Sequence, residues 1–331
     1  MNLPYKVSPP RETIAAVGSA LVDICLLEED AFLEQTGAQK GGMQLVDDAF
    51  IESTLGKSTR KAVTVPGGSA CNTILGIGKL GARARFIGKR GKDDLGMTFE
   101  NGLKKHSVEP FLFTSDTSTG RVLSVITPDA QRSMFTYLGA SAETKPEEIT
   151  TGHFGDCALV HLEGYLLFNE KLMMATLEAS KSAGAMISLD LASYTVVDAA
   201  RNILNDICDK YVDILIANED EARVFTGHND EIKALESLAK KAEIAVVKMG
   251  KRGSYIAHNG SIFAVKAIGS GAAVDTTGAG DLWAAGFLYG LLHGFSIEKC
   301  GELGSACGYE VCQVMGATIP EEGWERIKKL F

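Results

Sequence analysis

Residues 157–190, CALVHLEGYLLFNEKLMMATLEASKSAGAMISLD, hold an apolar run, an amphipathic stretch closed by glycine, and a second apolar run ending in an acid. The two short apolar runs have the length of buried strands, and Glu170–Ala183 between them has the length and polarity of a covering helix. The unit repeats. Strand Ala158–Leu162 leads to helix Glu170–Ala183, strand Met186–Asp190 to helix Val196–Asp209, strand Val212–Ala217 to helix Asn218–Phe225, and helix Glu231–Ala242 to strand Ile244–Met249. Strands joined through helices run parallel, and a parallel sheet buries both faces. This half therefore predicts an α/β fold, a doubly wound, mostly parallel sheet with helices on both faces. In such a sheet ligands bind beyond the carboxyl ends of the strands. Leu162-Glu163-Gly164-Tyr165 puts an aromatic at one exit, Ala217-Asn218-Glu219-Asp220-Glu221 a polar cluster at the next, and Lys248–Gly253 a glycine turn at the third. Asn218 and Glu221 share a face of a first helical turn, which suits either metal-bound water or an ordinary solvated cap.

Downstream, Val274–Gly290, VDTTGAGDLWAAGFLYG, opens a long apolar helix over Ala279–Leu292. A helix start leaves backbone N–H groups unpaired at the positive end of the dipole, so Gly278, Ala279 and Gly280 offer donors to an anion with no bulky side chain in the way. An aspartate beside an anion is electrostatically unfavourable unless it works there. Asp281 stands where a carboxylate takes a proton from a hydroxyl attacking phosphorus. A cap by Asp275, Thr276 or Thr277 accounts for the same residues without any ligand. The following helix, Ser296–Val314, carries Gly304, Ala306 and Gly308, small residues that let either a flat ring or a neighbouring helix come close.

Upstream, Thr13–Leu27 reads as a strand that turns at Gly18-Ser19 and continues through Asp23, an acid inside an apolar run. A buried carboxylate must be paired, capped or facing a pocket, so Asp23 either stabilises a turn or bonds ligand hydroxyls. Pro66-Gly67-Gly68-Ser69-Ala70-Cys71-Asn72 opens a helix ending at Gly81. Its glycines let a ligand approach backbone, and Asn72 aims an amide at the same place. Asp93 caps another helix to about His106. Phe111–Thr114, Gly120–Thr127 and Arg132–Leu138 then follow as strands without intervening helices, which predicts a small separate sheet. Gly56-Lys57-Ser58 ends like a phosphate loop but lacks its leading glycine. Gly76–Gly81 spells GxGxxG, yet it closes a helix where the dinucleotide fingerprint must open one.

The composition narrows the partners. Of 331 residues 45% are hydrophobic, enough for a substantial core, and a net charge of −9 argues against nucleic acid as a partner. No apolar run reaches the length of a membrane span, the N-terminal MNLPYKVSPPRET has no apolar signal core, and the chain reads as cytoplasmic. Seven cysteines without CxxC pairs read as buried thiols in a reducing compartment, and the scattered histidines offer no zinc site.

With these motifs in order, the chain resembles the ribokinase-type (PfkB-type) small-molecule kinases nearly end to end. The resemblance runs from Val17-Gly18 through Pro66–Asn72 and Asn218–Glu221 to Asp275–Asp281. It implies one α/β kinase domain over residues 1–331 with a small β lid formed by parts of 35–66 and about 107–143. Within the family, Phe32-Leu33, Lys40–Leu45, Arg132-Ser133-Met134, Tyr137–Ala140 and Glu163-Gly164-Tyr165 look most like adenosine kinases. That likeness implies Asp23 on ribose hydroxyls with Ser19, Gly68 and Asn72 beside it, and Tyr165 stacked on a base walled by Leu45, Val122, Met134 and Leu138. It also implies ATP along Asn218, Lys248, Gly250, Gly253, Thr277 and Gly308, with Mg²⁺ held through water by Glu221. K⁺ is implied at the carbonyl side of the Asp275–Thr277 loop and the Gly316 region, and Arg132 either reaches the transferred phosphate or braces the lid. One position departs: adenosine kinases usually carry Asn where this chain has Ser19.

Transfer of the ATP γ-phosphoryl group to a primary hydroxyl of a nucleoside is the expected reaction, with Asp281 as base and the Gly278, Ala279 and Gly280 amides on the transferring group. Apolar walls suit a purine better than a bare sugar. The rivals are a sugar kinase of the same fold acting on ribose or fructose, a catalytically idle nucleoside- or sugar-binding protein, and a dehydrogenase resting on the misplaced glycine fingerprint. The expected partners are the small substrate and ATP, with the chain a monomer or a homodimer.

Overall fold

Two sheets divide the work of the chain. The computed structural model describes residues 11–37, 40–129, 131–269 and 271–331, so the N-terminal stretch read for a signal core lies largely outside the described residues. The first half contains β1 (Thr13–Val17), β2 (Leu21–Leu27), α1 (Asp30–Glu34), β3 (Met43–Leu45), α2 (Asp48–Leu55), β4 (Val63–Gly67) and α3 (Ser69–Leu80). It continues with β5 (Arg83–Gly91), α4 (Asp94–Lys105), β6 (Val108–Ser115), β7 (Thr119–Ile126) and β8 (Arg132–Gly139). The alternating half is β9 (Cys157–Glu163), α5 (Glu170–Ser182), β10 (Met186–Asp190), α6 (Tyr194–Tyr211), β11 (Ile214–Asn218), α7 (Glu219–Thr226), α8 (Glu231–Leu238) and β12 (Ile244–Lys248). A hairpin, β13 (Ser254–His258) and β14 (Ser261–Val265), and the helices α9 (Ala279–Leu292), α10 (Ile297–Val311) and α11 (Glu321–Lys328) complete it.

Among the described residues, the main sheet has the order β14-β13-β12-β11-β10-β9-β1-β5-β6. It is parallel from β12 to β6 and antiparallel at the terminal hairpin. The period-two alternation of a strand sends Ile14 and Ala16 of β1 into one core with α3, α9 and α10, and Ala15 and Val17 into another with α5 and α6. Both faces are covered. Sequence order reverses between β1 and β9, and the crevice beyond their carboxyl ends is the place where such sheets receive ligands.

The second sheet has the order β3-β8-β7-β2-β4. One face, through Ile24, Leu26, Leu123, Val125 and Phe135, closes on Leu33 of α1 and Ile51 of α2. Alternation turns Asp23, Val122 and Met134 to the opposite face, with Asp23 opposite Val122 in the ladder.

The structure corrects several expectations. Thr13–Leu27, expected as one strand with a turn at Gly18-Ser19, is two strands divided at that turn. It breaks at Gly18, where an added Cβ would lie 2.7 Å from that of Ala70, and its halves join different sheets. The strand expected at Phe111–Thr114 belongs to β6, which follows the covering helix α4 and pairs in parallel with β5 at the edge of the main sheet. The second sheet thus takes only β7 and β8 from 107–143, and it recruits β2, with β3 and β4 from the region 35–66 and just beyond. Helix α2 and the β13–β14 hairpin were not anticipated. Within α2, Ile51, Thr54 and Phe50 make too short an apolar pattern to stand out.

The GxGxxG letters sit inside α3 and serve packing. A Cβ at Gly76 would fall 2.7 Å from Ala285 Cβ of α9, and Gly81 caps the helix at φ 103°. The dehydrogenase reading loses its footing there. Gly304 likewise lets α10 rest on Trp283 of α9, with a notional Cβ 2.9 Å from the indole. All seven cysteines are free thiols, six of them buried. Among the described residues no helix is long and apolar enough to cross a membrane.

Helix α9 is buried on every side from Leu282 to Leu291, so its fit against α10 holds the molecule together. A Cβ at Gly286 would sit 2.6 Å from the Leu303 carbonyl oxygen. Overpacking of this kind forces backbone shifts, so Gly286→Ala is expected to cost about 1–3 kcal/mol. A urea unfolding midpoint equal to that of the parent would contradict this packing.

Candidate active site

Between the second sheet and the carboxyl ends of the main sheet lies a cleft of about 960 Å³. It brings together, from the catalytic set, Gly278, Ala279, Gly280 and Asp281. Of the residues expected at the acceptor it holds Ser19, Asp23, Leu45, Gly68, Asn72, Val122, Met134, Leu138 and Tyr165, of those expected along ATP Asn218, Lys248, Gly250, Gly253 and Gly308, and of the expected metal residues Glu221. Thr277 and Asp275 do not line it. Both are buried in the loop before α9, where Asp275 Oδ1 accepts the Thr277 backbone N–H (2.9 Å) and hydroxyl (2.6 Å). Asp275 Oδ2 accepts the Gly316 N–H at 2.8 Å, so this carboxylate ties two loops together.

The chain enters α9 through Gly278 at φ 71°, a left-handed conformation that a side chain would strain, and a Cβ there would fall 2.6 Å from Ala317 Cβ. The first regular helical bond runs from Leu282 N–H to the Gly278 carbonyl at 2.8 Å. Gly278, Gly280 and Asp281 precede it, and their N–H groups need other partners. Ala279, expected to donate to an anion, instead turns its N–H to the Thr276 carbonyl at 3.2 Å. The tight turn that brings the loop into the helix uses that donor.

Asp281 is surrounded by donors from α3. Ser69 Oγ reaches Oδ1 at 2.8 Å and Asn72 Nδ2 reaches Oδ2 at 2.9 Å. Burial still holds its carboxyl above the ordinary range. Asn72 thus spends its amide N–H on Asp281, while its buried Oδ1 has no partner. A buried acceptor without a donor is unfavourable, and at the edge of a cleft a ligand hydroxyl relieves it.

Asp23 is 4% exposed, and burial pushes it up to about 6 against the pull of Arg132, with the charges of Asp281 and Asp275 adding to the rise. Gly67 must be glycine beside it, because an added Cβ would meet the Asp23 carboxyl carbon at 2.2 Å. Tyr165 stacks on Phe168 with ring centroids 6.1 Å apart. Phe168 (51%) and Leu45 (49%) stay half exposed at the cleft, an apolar wall facing open space.

Beyond Asp281 the strand exits gather charge. Lys248 Nζ bonds Asp190 Oδ2 at 2.6 Å, and a Cβ on Gly280 would lie 3.0 Å from that ammonium. Burial pulls Lys248 down, but the carboxylates of Asp190, Glu221 and Asp281 hold it above its ordinary value. Glu221 is pushed up to about 7 by burial and by Asp190. Asn218 and Glu221 form a reciprocal cap: Asn218 N–H and Nδ2 donate to Glu221 (2.8 and 2.7 Å), and Glu221 N–H donates to Asn218 Oδ1 at 2.9 Å. The cap expected as the plain alternative is therefore built. Among the described residues no group of three or more His, Cys, Asp or Glu side chains is placed to hold a metal ion.

The sequence motifs include Glu163 and Ser69, and a strand ends at Asp190, but no role attaches to any of the three there, although all lie in the cleft. The signal for the two acids was present, since β9 and β10 are apolar strands that each end in an acid at the exit.

A model of the pfkB family, described as carbohydrate kinases, matches residues 44–323. A probable fructokinase-5 of Arabidopsis thaliana is 29% identical over 84% of this chain and 92% of its own. Among solved structures, a probable sugar kinase from Rhizobium etli is 32% identical with a TM-score of 0.91, covering 97% of this chain and 100% of its own. An adenosine kinase from Sinorhizobium meliloti is 30% identical with a TM-score of 0.90 over the same shares.

Proposed function

Because the chain belongs to the pfkB family of carbohydrate kinases, phosphotransferases acting on a hydroxyl group, we propose that it moves the γ-phosphoryl group of ATP to the 5′-hydroxyl of adenosine or a related nucleoside. The observation that carries the acceptor class is the apolar wall. Leu45, Val122, Met134, Leu138 and Tyr165 border the cleft on the side of Asp23, and such a surface suits the face of a purine.

Asp23 takes the ribose hydroxyls, helped by Ser19, the Gly68 backbone and the unpaired Oδ1 of Asn72. The primary hydroxyl then points at Asp281, which accepts its proton as the bond to phosphorus forms. The free N–H groups of Gly278 and Gly280 hold the charge that gathers on the transferring group, and Lys248 beside Gly280 adds a cation there. The base of ATP lies along Gly250, Gly253 and Gly308. The second sheet, acting as a lid, excludes the water that would otherwise take the phosphoryl group.

A divalent cation fits this end of the cleft as a phosphate-bound ion: Glu221 and Asp190 are buried carboxylates, and their number suits contact through water but not a full protein coordination shell. When bound, Mg²⁺ neutralises phosphate charge. Asp275 ties its loop to Gly316 in this reading, and the carbonyl side of that loop with the Gly316 region would hold K⁺.

A sugar acceptor is the second reading. It is favoured by the relative named as a fructokinase and by Ser19 in the place where adenosine kinases usually carry Asn. ATP consumption with adenosine, other nucleosides, ribose and fructose separates the two. Turnover and AMP with adenosine are expected; turnover with fructose or ribose alone would move the acceptor to a sugar, and tight binding without turnover would make the chain a sensor.

A further inference from the structure

The first turns of α3 meet Asp281 at three atoms. Ser69 Oγ donates to Oδ1 (2.8 Å), Asn72 Nδ2 to Oδ2 (2.9 Å), and Thr73 Oγ1 to the main-chain carbonyl (3.1 Å). Spacings of three and four residues put these side chains on one face of the helix. The start of α3 is in turn fixed to the main sheet by Glu163 at the exit of β9, whose Oε2 accepts the Ala70 N–H at 2.8 Å. Glu163 is 3% exposed, and no step of the proposed transfer uses it. A structural cap alone would be served by a neutral acceptor. Burial pushes Glu163 up to about 7, so its charge, and the effect of that charge on Asp281, is present only above that pH.

We infer that the start of α3, anchored by Glu163, orients Asp281 and sets its basicity, with Ser69 and Glu163 as positioning residues that act in opposite directions. This rests on the reading of Asp281 as the base. Hydrogen bonds to a carboxylate favour its ionised form, whereas a neighbouring negative charge disfavours it. The groups that face Asp281 come from five elements: Ser69 and Asn72 of α3, Asp23 of β2, Glu163 of β9, Asp190 of β10 and Lys248 of β12. Burial raises Asp281, the Asn72 and Ser69 bonds lower it, Asp190 raises it and Lys248 lowers it. The charge of Asp281 raises Glu163, and the reciprocal effect of ionised Glu163 on Asp281 has the same sign.

The test is the pH dependence of kcat, measured on the whole chain at saturating acceptor and MgATP, which reports the base in the ternary complex apart from the ionisation of Asp23 that governs acceptor binding. Ser69→Ala removes a donor, so the acid limb should move up by about one pH unit, a loss of about tenfold below the limb. Ser69→Thr keeps a hydroxyl and should bring the limb back. Glu163→Gln keeps an oxygen for the Ala70 N–H and loses the charge that Glu163 carries above about pH 7, so its limb should move down in that range. Opposite shifts with rescue by threonine support the inference. Unmoved limbs, shifts of the same sign, or a pH-independent loss that threonine does not rescue would overturn it. Asp281→Asn run alongside separates the two readings: retained turnover removes the base itself, whereas a dead variant with unmoved limbs in the others removes only the role of α3.

Discussion

Asp281→Asn should lower kcat by about 10²–10⁴ while leaving the affinity for ATP close to that of the parent chain. The substitution keeps the size of the side chain and an oxygen for Ser69 or Asn72, so α3 and α9 keep their contact. What it removes is the group that accepts a proton. The triphosphate meets main-chain N–H groups and Lys248, none of which the change touches, and losing a negative charge beside a polyanion does not weaken its binding. Single-turnover rates and ATP titration by calorimetry check the two halves separately. Turnover within a factor of two of the parent would take Asp281 out of the chemistry.

Asp23→Asn should weaken acceptor binding by about ten- to a hundredfold, the worth of a hydrogen bond to a charged group, and at the same time stabilise the fold above neutrality. The second effect follows from burial. Asp23 is raised from 3.8 to about 6, so its native pKa lies above its unfolded one. Its support for folding is therefore complete below pH 3.8 and is lost as pH rises through about 6. The displacement corresponds to about 3 kcal/mol, which the neutral amide recovers at pH 8 if its own hydrogen bonds are met. At pH 3.5 both side chains are neutral and the difference should vanish. Urea midpoints at the two pH values, with KM for the acceptor, test a stability cost held for function. An Asn variant that is no more stable at pH 8, or that keeps its KM, would show Asp23 to be a structural residue. In the parent chain KM for the acceptor should also fall as pH rises through about 6, where Asp23 ionises.

The parts of this molecule that sequence could not place are those decided by tertiary contact. The alternation from Cys157 to Lys248 was readable because parallel strands buried on both faces are continuous apolar runs with helices of matching length between them. Val17 and Leu21 belong to different sheets although the run Thr13–Leu27 is apolar on both sides of its Gly18-Ser19 turn, and the close approach of Ala70 and Glu163 to Gly18 shows why the chain parts there. The same limit explains Glu163 and Asp190. Each ends a strand as a solvated acid would, and its burial depends on α3 and Lys248, which arrive from elsewhere in the chain. Asp275 is the reverse case. Its motif attracts a role in binding, while the Thr277 and Gly316 donors that engage it become visible only in the folded loop.

The central claim is that the amides at the start of α9 meet the end of a triphosphate while Asp23 holds an alcohol on the far side of Asp281. A crystal structure of the chain with a non-hydrolysable ATP analogue and adenosine tests it most directly. The account predicts terminal phosphate oxygens about 3 Å from the Gly278 and Gly280 nitrogens, with the 5′-hydroxyl between phosphorus and Asp281 and the ribose on Asp23. A triphosphate ending away from α9, or an acceptor bound without contact to Asp23, would contradict it.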